Sequence, residues 1–194
     1  LPNGDVPIYF VARAKKQWDW GMKKTIACVV AITLTFLLSP VAADEFRGAL
    51  VHKNTDAEQI VPNSYSHAQW VQVEFPEVEY DTSGLWDAAN HQFVIPDGVH
   101  FVRLSGQIVW DHDAKGSRQT LITKNNALFD GYAAQNGRAT FGTTPDQNVA
   151  TAVIPVKAGD TFQLQAWHIR QKPTGAPTKI YGNHGTWFSI EVID

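Results

Sequence analysis

Along His100-Phe-Val-Arg-Leu-Ser-Gly-Gln-Ile-Val-Trp110 the side-chain character alternates from one residue to the next. One face carries His100, Val102, Leu104, Gly106, Ile108 and Trp110; the other carries Phe101, Arg103, Ser105, Gln107 and Val109. A period of two belongs to an extended chain, whose successive side chains point to opposite faces of a sheet. A mostly apolar face opposite a mixed one marks a half-buried strand.

The same reading extends outward in both directions. Phe162, Leu164 and Ala166 alternate with Thr161, Gln163 and Gln165, and Phe188, Ile190 and Val192 alternate with Trp187, Ser189, Glu191 and Ile193. Further strands are predicted at 46–51, 69–75, 92–95, 118–124, 139–141 and 148–156. Turn formers fall between them: Ser83-Gly84, Pro96-Asp97-Gly98, Asn125-Asn126, Asp130-Gly131, Asn136-Gly137, Ala158-Gly159-Asp160 and Pro173-Thr174-Gly175. Beyond residue 43 no stretch of eleven or more residues has a helical period. Eight to ten short strands in about 150 residues predict an all-β chain, an antiparallel β-sandwich with a jelly roll of about ten strands. With no internal repeat or low-complexity linker, 44–194 reads as one domain.

The residues ahead of it have a different character. Met22, the only methionine, is followed by Lys23 and Lys24, an apolar run over 25–38, the breaker Ser39-Pro40 and the small residues Val41-Ala42-Ala43. A charged start, a short apolar core and a small-x-small end predict a secretory signal peptide over 22–43, cut between Ala43 and Asp44. The run is shorter than the roughly 20 residues a membrane span needs. The competing arrangement is a signal-anchor reaching Ala43, with Arg13, Lys15 and Lys16 on the cytoplasmic side. Residues 1–21 precede the only methionine and read as upstream read-through. The expected product is secreted or periplasmic, with no stable membrane span after cleavage.

Residues 44–194 hold 11 Lys+Arg against 17 Asp+Glu. An acidic domain does not attract nucleic acid through its overall field. Cys28, the only cysteine, leaves with the signal; disulfides, thiol catalysis and cysteine-ligated zinc are thereby excluded from the mature product. A chain that is 44% hydrophobic and 11% aromatic is also no disordered tail.

Five motifs recur in a fixed order: Tyr80-Asp81; Phe93-Val-Ile-Pro96-Asp-Gly98-Val99; Leu121-Ile-Thr-Lys124-Asn125; Val156-Lys-Ala-Gly159-Asp160-Thr-Phe-Gln-Leu164; and Thr186-Trp-Phe188-Ser-Ile-Glu-Val192. This succession resembles the globular head of complement component 1q and the wider tumour necrosis factor-like jelly rolls, over essentially all of 46–194. Asp81-Thr-Ser-Gly84-Leu-Trp86-Asp87 and the ending Trp187–Ile193 resemble variants seen in bacteria and in phage tail proteins. No collagen-like Gly-X-Y repeat occurs in the 194 residues, so avidity from bundled heads is not implied. The resemblance does imply a compact ten-stranded sandwich that assembles as a homotrimer and binds ligands on its surface. Trp110, Trp167, Trp187 and Ile193 put more apolar surface on the strands than one solvent-facing sheet should carry. They face neighbours in a trimer or cap the ends of the core.

Chemistry-bearing constellations are sparse. Catalysis needs a nucleophile or base with an orienting partner, or paired carboxylates across a pocket. The seven histidines (52, 67, 91, 100, 112, 168, 184) are scattered and fit no nucleophile elbow, zinc helix or cupin pattern. His100 and His168 fall in phase with apolar faces and read as hydrogen-bonded core or interface histidines. Asp111 and Asp113 could give two oxygens to Ca²⁺, far short of the six to eight it takes; the alternative is a solvated loop. Glu74, Glu77, Glu79 and Asp81 bracket Phe75-Pro76, with Trp86-Asp87 after them. They read either as a sugar platform of ring and carboxylate or as an edge strand guarded by charge and Pro. Tyr181 and His184 sit in a long Pro- and Gly-rich segment over 170–185, a recognition loop or a tolerated insertion.

The sequence thus points to a non-enzymatic secreted binding or structural module. It is expected to be a homotrimer recognising an extracellular or cell-surface protein or glycan, with no cofactor apart from a calcium candidate. The alternatives are a monomeric carbohydrate-binding module and a secreted carboxylate-dependent hydrolase.

Overall fold

The computed structural model describes residues 45–54, 58–64, 69–111, 116–128, 135–140, 146–169, 176–182 and 185–194. The expected read-through 1–21 and signal peptide 22–43 lie outside them. The first strands are β1 (Gly48–His52), β2 (Gln59–Val61), β3 (Val71–Gln72), β4 (Glu77–Asp81), β5 (Trp86–Asp87), β6 (Gln92–Val94) and β7 (Phe101–Val109). The rest are β8 (Gly116–Lys124), β9 (Gln135–Thr140), β10 (Asp146–Ala150), β11 (Ile154–Pro155), β12 (Thr161–Ile169), β13 (Thr178–Ile180) and β14 (Trp187–Val192).

Two six-stranded sheets result. The first runs β10-β7-β14-β1-β4 with β11 also on β7; the second runs β5-β6-β12-β8-β9 with β3 also on β12. β2 and β13 pair separately. From β6 onward the chain crosses repeatedly between sheets, with β6, β8, β9 and β12 in the second and β7, β10 and β14 in the first. All these pairings are antiparallel. This is the predicted all-β jelly-roll sandwich. Among the described residues no helix is long and apolar enough to cross a membrane.

The inward phase read from the sequence is the core. Val102, Leu104 and Ile108 of β7 and Phe188 and Ile190 of β14 are buried with Phe93, Ile122, Phe162 and Leu164 of the second sheet. The Phe93 and Phe188 rings meet across the sandwich at 4.7 Å between centroids. A Cβ added at Gly106 would lie 3.2 Å from the Leu164 side chain and from the Trp187 carbonyl oxygen. The missing side chain thus gives Leu164 room against the β7 backbone.

The predicted turns at Ser83-Gly84, Pro96-Asp97-Gly98, Asn125-Asn126 and Ala158-Gly159-Asp160 all fall between strands, while Asp130-Gly131 and Pro173-Thr174-Gly175 lie outside the described residues. Asn125 (φ 52°) and Asn126 (φ 59°) both adopt the left-handed conformation, and the Ala127 amide donates to the Lys124 carbonyl at 2.9 Å. A two-residue turn with both φ values positive matches the twist of the strands it joins. Four readings are corrected. Asn136-Gly137, read as a turn, lies within β9 and pairs with Thr120 and Gln119 of β8. The stretch 148–156 is two strands, because Thr151 Oγ1 accepts the Leu104 amide at 3.0 Å in place of a ladder carbonyl. The stretch 69–75 pairs as a strand only at Val71–Gln72. His168 is fully buried as read, but His100 lies beyond the end of β7 with its ring 72% exposed, near Asp194. The acidic stretch supplies β4, the edge strand of the first sheet, where charge discourages pairing with other chains.

The Gly159–Asp160 turn ends in a buried carboxylate. Asp160 accepts from Asn125 Nδ2 at 2.9 Å and from the Lys157 amide at 3.0 Å, and lies 2.8 Å from Lys124 Nζ. Burial pushes its carboxyl up, but the bonds from Asn125, Lys124 and Lys157 outweigh this and hold it below the usual carboxylate range. A depressed folded value stabilises the fold above the unfolded value of about 3.9, and that contribution disappears as pH falls through the folded one. Denaturant unfolding should therefore show Asp160→Asn less stable than the parent at pH 7, with the gap closing toward pH 2.5. An unchanging gap would contradict the assignment.

Candidate functional site

The outward face of the first sheet is built from the alternate residues of the same strands. β14 contributes Trp187, Ser189 and Glu191; β7 contributes Phe101, Arg103, Ser105 and Gln107. They pair across the strands as Trp187 with Gln107, Ser189 with Ser105 and Glu191 with Arg103. The Ser105 and Ser189 hydroxyls bond to each other at 2.9 Å, and Arg103 Nη2 donates to Glu191 Oε2 at 2.6 Å. Beyond β14, Leu50 of β1 lies opposite Tyr80 of β4, and the Tyr80 ring meets Phe46 edge-on at 5.7 Å.

Register then shifts between Leu50 and Val51, so that Tyr80 and Val78, two apart on β4, face successive residues of β1. Glu79 is the extra residue of this bulge. Alternation already puts Glu77 and Glu79 on the His52 side, and the bulge turns Tyr80 to that side as well. His52 Nδ1 lies 3.5 Å from Glu77 Oε2 and Nε2 lies 3.3 Å from Glu79 Oε2, with the imidazole 9% exposed. Leu50, His52, Glu79, Tyr80, Ser105, Trp187 and Ser189 line an open groove of about 460 Å³. The two carboxylates approach opposite ring nitrogens and share no point of convergence. Among the described residues no group of three or more His, Cys, Asp or Glu is arranged to hold a metal ion.

The residues singled out in the sequence are distributed unevenly with respect to this groove. Trp187 lines it and Ile193 lies further along the same face, 36% exposed. Trp110 and Trp167 do not belong with them. Trp110 is fully buried, its indole donating to Gln147 Oε1 at 2.9 Å with the Arg118 guanidinium over its ring. Trp167 is 3% exposed and lies against Trp70. Both are enclosed within one protomer, so neither offers its ring to a second copy.

Trp86 and Asp87 form no outward platform either. The Trp86 ring packs onto Phe93 and Phe75 at the edge of the core. The Asp87 carboxylate accepts from the Ala89 and Asn90 amides and from the Asn90 and Gln92 side chains. The Asn90 and Gln92 side chains, in that order, hold its carboxyl below the usual range, and its oxygens are spent on its own turn.

Asp111 and Tyr181, assigned to separate sites in the sequence, come together instead. The Asp111 amide donates to the Lys179 carbonyl and the Tyr181 amide to the Val109 carbonyl. That brackets a bridge between Trp110 and Ile180 and lets Tyr181 Oη donate to Asp111 Oδ1 at 3.1 Å. Asp113 and His184 lie outside the described residues. The Asp111 hydrogen bond pushes the Tyr181 phenol above its ordinary range, helped by burial. In Asp111→Asn the Tyr181 ¹³Cζ resonance should titrate at lower pH than in the parent; an unshifted curve would remove the contact from solution.

No family model matches the chain. No curated protein matches it either. Among solved structures, the globular domain of zebrafish complement 1qA protein is similar at 14% identity and a TM-score of 0.47, over 77% of this chain and 98% of that one. Murine APRIL at pH 8.5 is similar at 12% identity and a TM-score of 0.47, over 76% and 100%. The Eiger TNF of S. frugiperda is similar at 16% identity and a TM-score of 0.40, over 77% and 93%.

Proposed function

We propose that this protein is a secreted, non-enzymatic binding module that assembles as a homotrimer through the outward face of its first sheet, and that it recognises an extracellular or cell-surface protein or glycan. One observation carries the reading: that face is apolar where solvent should make it polar. Phe46, Tyr80, Phe101 and Ile193 are 50%, 36%, 47% and 36% exposed, and Trp187 and Leu50 line the groove between them. Apolar surface of this extent is usually covered by a partner. Its strongest ion pair, Arg103 with Glu191, is closed on itself and needs no partner charge.

A second copy suits the shape. The groove lies toward the β14 start, while Phe101 and Ile193 project near the opposite end of the same face. A hollow and a projection on one molecule favour a heterologous contact, which closes into a ring when the rotation permits. The number three is what the sequence resemblance implies.

A second reading has its own support in the groove. Trp187 and Tyr80 rings, the Ser105 and Ser189 hydroxyls and the Glu79 carboxylate are groups that stack on and bond to sugars. A monomeric carbohydrate-binding module would use it so. A carboxylate-dependent hydrolase is less well supported, since Glu77 and Glu79 share one imidazole instead of facing each other across a substrate.

Light scattering of the purified protein, with and without calcium, separates these readings. A mass three times that of the protomer is expected, falling to the protomer mass in Trp187→Ser and Ile193→Ser while far-ultraviolet circular dichroism is retained. A calcium-dependent mass would support the Asp111 and Asp113 loop as the ion's site. A monomeric parent that binds a soluble glycan saturably would overturn the trimer and establish the carbohydrate module.

A further inference from the structure

We infer that assembly through this face takes up protons at His52, so that the oligomer tightens as pH falls from 7.5 to 5.5. The inference rests on the self-association proposed above and adds its regulation. In the single protomer His52 is nearly enclosed, while the side chains of Glu77 and Glu79 on either side of it are 40% and 62% exposed. Water therefore solvates both carboxylates. A neighbouring copy seated over the groove removes part of that water, and the cost of dehydrating an ion is repaid only by a well-placed opposite charge.

Two carboxylates beside a neutral imidazole carry a charge of −2 into the contact; beside an imidazolium they carry −1. The protonated ring also donates from Nε2 to Glu79 at 3.3 Å and holds its charge 3.5 Å from Glu77, and charge-assisted hydrogen bonds are the stronger kind. The covered state thus favours the protonated ring more than the open state does. A group that binds protons more tightly in the assembled form strengthens assembly as pH falls, and imidazole is the side chain whose charge changes between pH 5 and 8.

The other described histidine at the margin of this face, His100, has its ring 72% exposed and 3.9 Å from Asp194, so it lacks the enclosure between two carboxylates that His52 has. From β14 the neighbours of His52 are Trp187 and Ser189, both uncharged, and Glu191 is held by Arg103 of β7. From β4, besides the two glutamates and Tyr80, Asp81 at the far end receives the amides of Ser83, Leu85 and Trp86. Lys53, next in sequence, is buried, its ammonium donating to the Glu74 carbonyl at 2.8 Å. Glu77 and Glu79, two apart on β4, share a face by ordinary alternation, and the bulge adds Tyr80 beside them, opposite Leu50.

The test is a dilution series followed by sedimentation equilibrium at pH 5.5, 6.5 and 7.5, with the parent, His52→Gln and Glu79→Gln. The parent should associate about tenfold more tightly per contact at pH 5.5 than at 7.5. His52→Gln should associate equally at all three pH values, and Glu79→Gln, altered at an exposed side chain, should show a weaker dependence. Potentiometry on the parent needs no variant and should register proton uptake when dilute protein is concentrated at pH 6.5. A pH-independent oligomer, or an undiminished dependence in folded His52→Gln, overturns proton uptake and leaves self-association standing. A monomer at every pH and concentration overturns both.

Discussion

β14 lies between β1 and β7, and the first sheet depends on that insertion. It pairs with β7 over six residues, Trp187 to Val192, and with β1 over five. Without it, β1 and β4 form one ribbon, β7, β10 and β11 another, and neither is a continuous wall for the second sheet. Inward, β14 supplies Phe188, whose ring meets Phe93 and Phe75; outward, it supplies Trp187 and Ser189 to the groove. Core and surface site are thus fixed by one strand's alternation. These pairings join residues at least 80 and 135 positions apart, so the chain pays a large loop-closure entropy before the sheet can form.

β7, β12 and β14 were legible because each keeps its period for six to nine residues, whereas in β9 Asn136-Gly137 reads as a turn. β7 has Val102, Leu104, Gly106 and Ile108 buried, in the phase read from its sequence. Shorter elements left no such trace. β4 is Glu-Val-Glu-Tyr-Asp at a sheet edge, where burial does not select for alternation, and β2, β5 and β13 are two or three residues long. Nothing local announces the break at Thr151 either, because it depends on a hydroxyl reaching an amide 47 positions away.

The site was less legible for the same kind of reason. Trp187 and Ser189 could be placed outward by phase alone, but Tyr80 joins Glu79 on the same face only through a bulge that no pattern marks. Trp110 shows the opposite error. Its phase already put it with Val102 and Leu104, and its burial turns on Gln147 accepting the indole N–H. A tryptophan stays inside when such an acceptor is available, and Gln147 lies on another strand.

The two sheets treat their outer faces differently, and this asymmetry is why the first sheet is proposed as the interaction surface. On the second sheet Leu121, Thr123, Gln163 and Trp167, which point away from the core, are buried; Trp70 lies over Trp167, and Gln163 bonds to Gln92 and Gln165. That face is covered by its own protomer. Among the described residues nothing covers Phe101, Tyr80 and Ile193 of the first sheet in the same way. Side chains held on paired strands need little ordering to bind, which lowers the entropy cost of the association proposed above. A pair of carboxylates set into such a surface opposes that association unless a cation accompanies them. His52 lies between them, and on the proposal above it is the group that couples the face's affinity to its charge state.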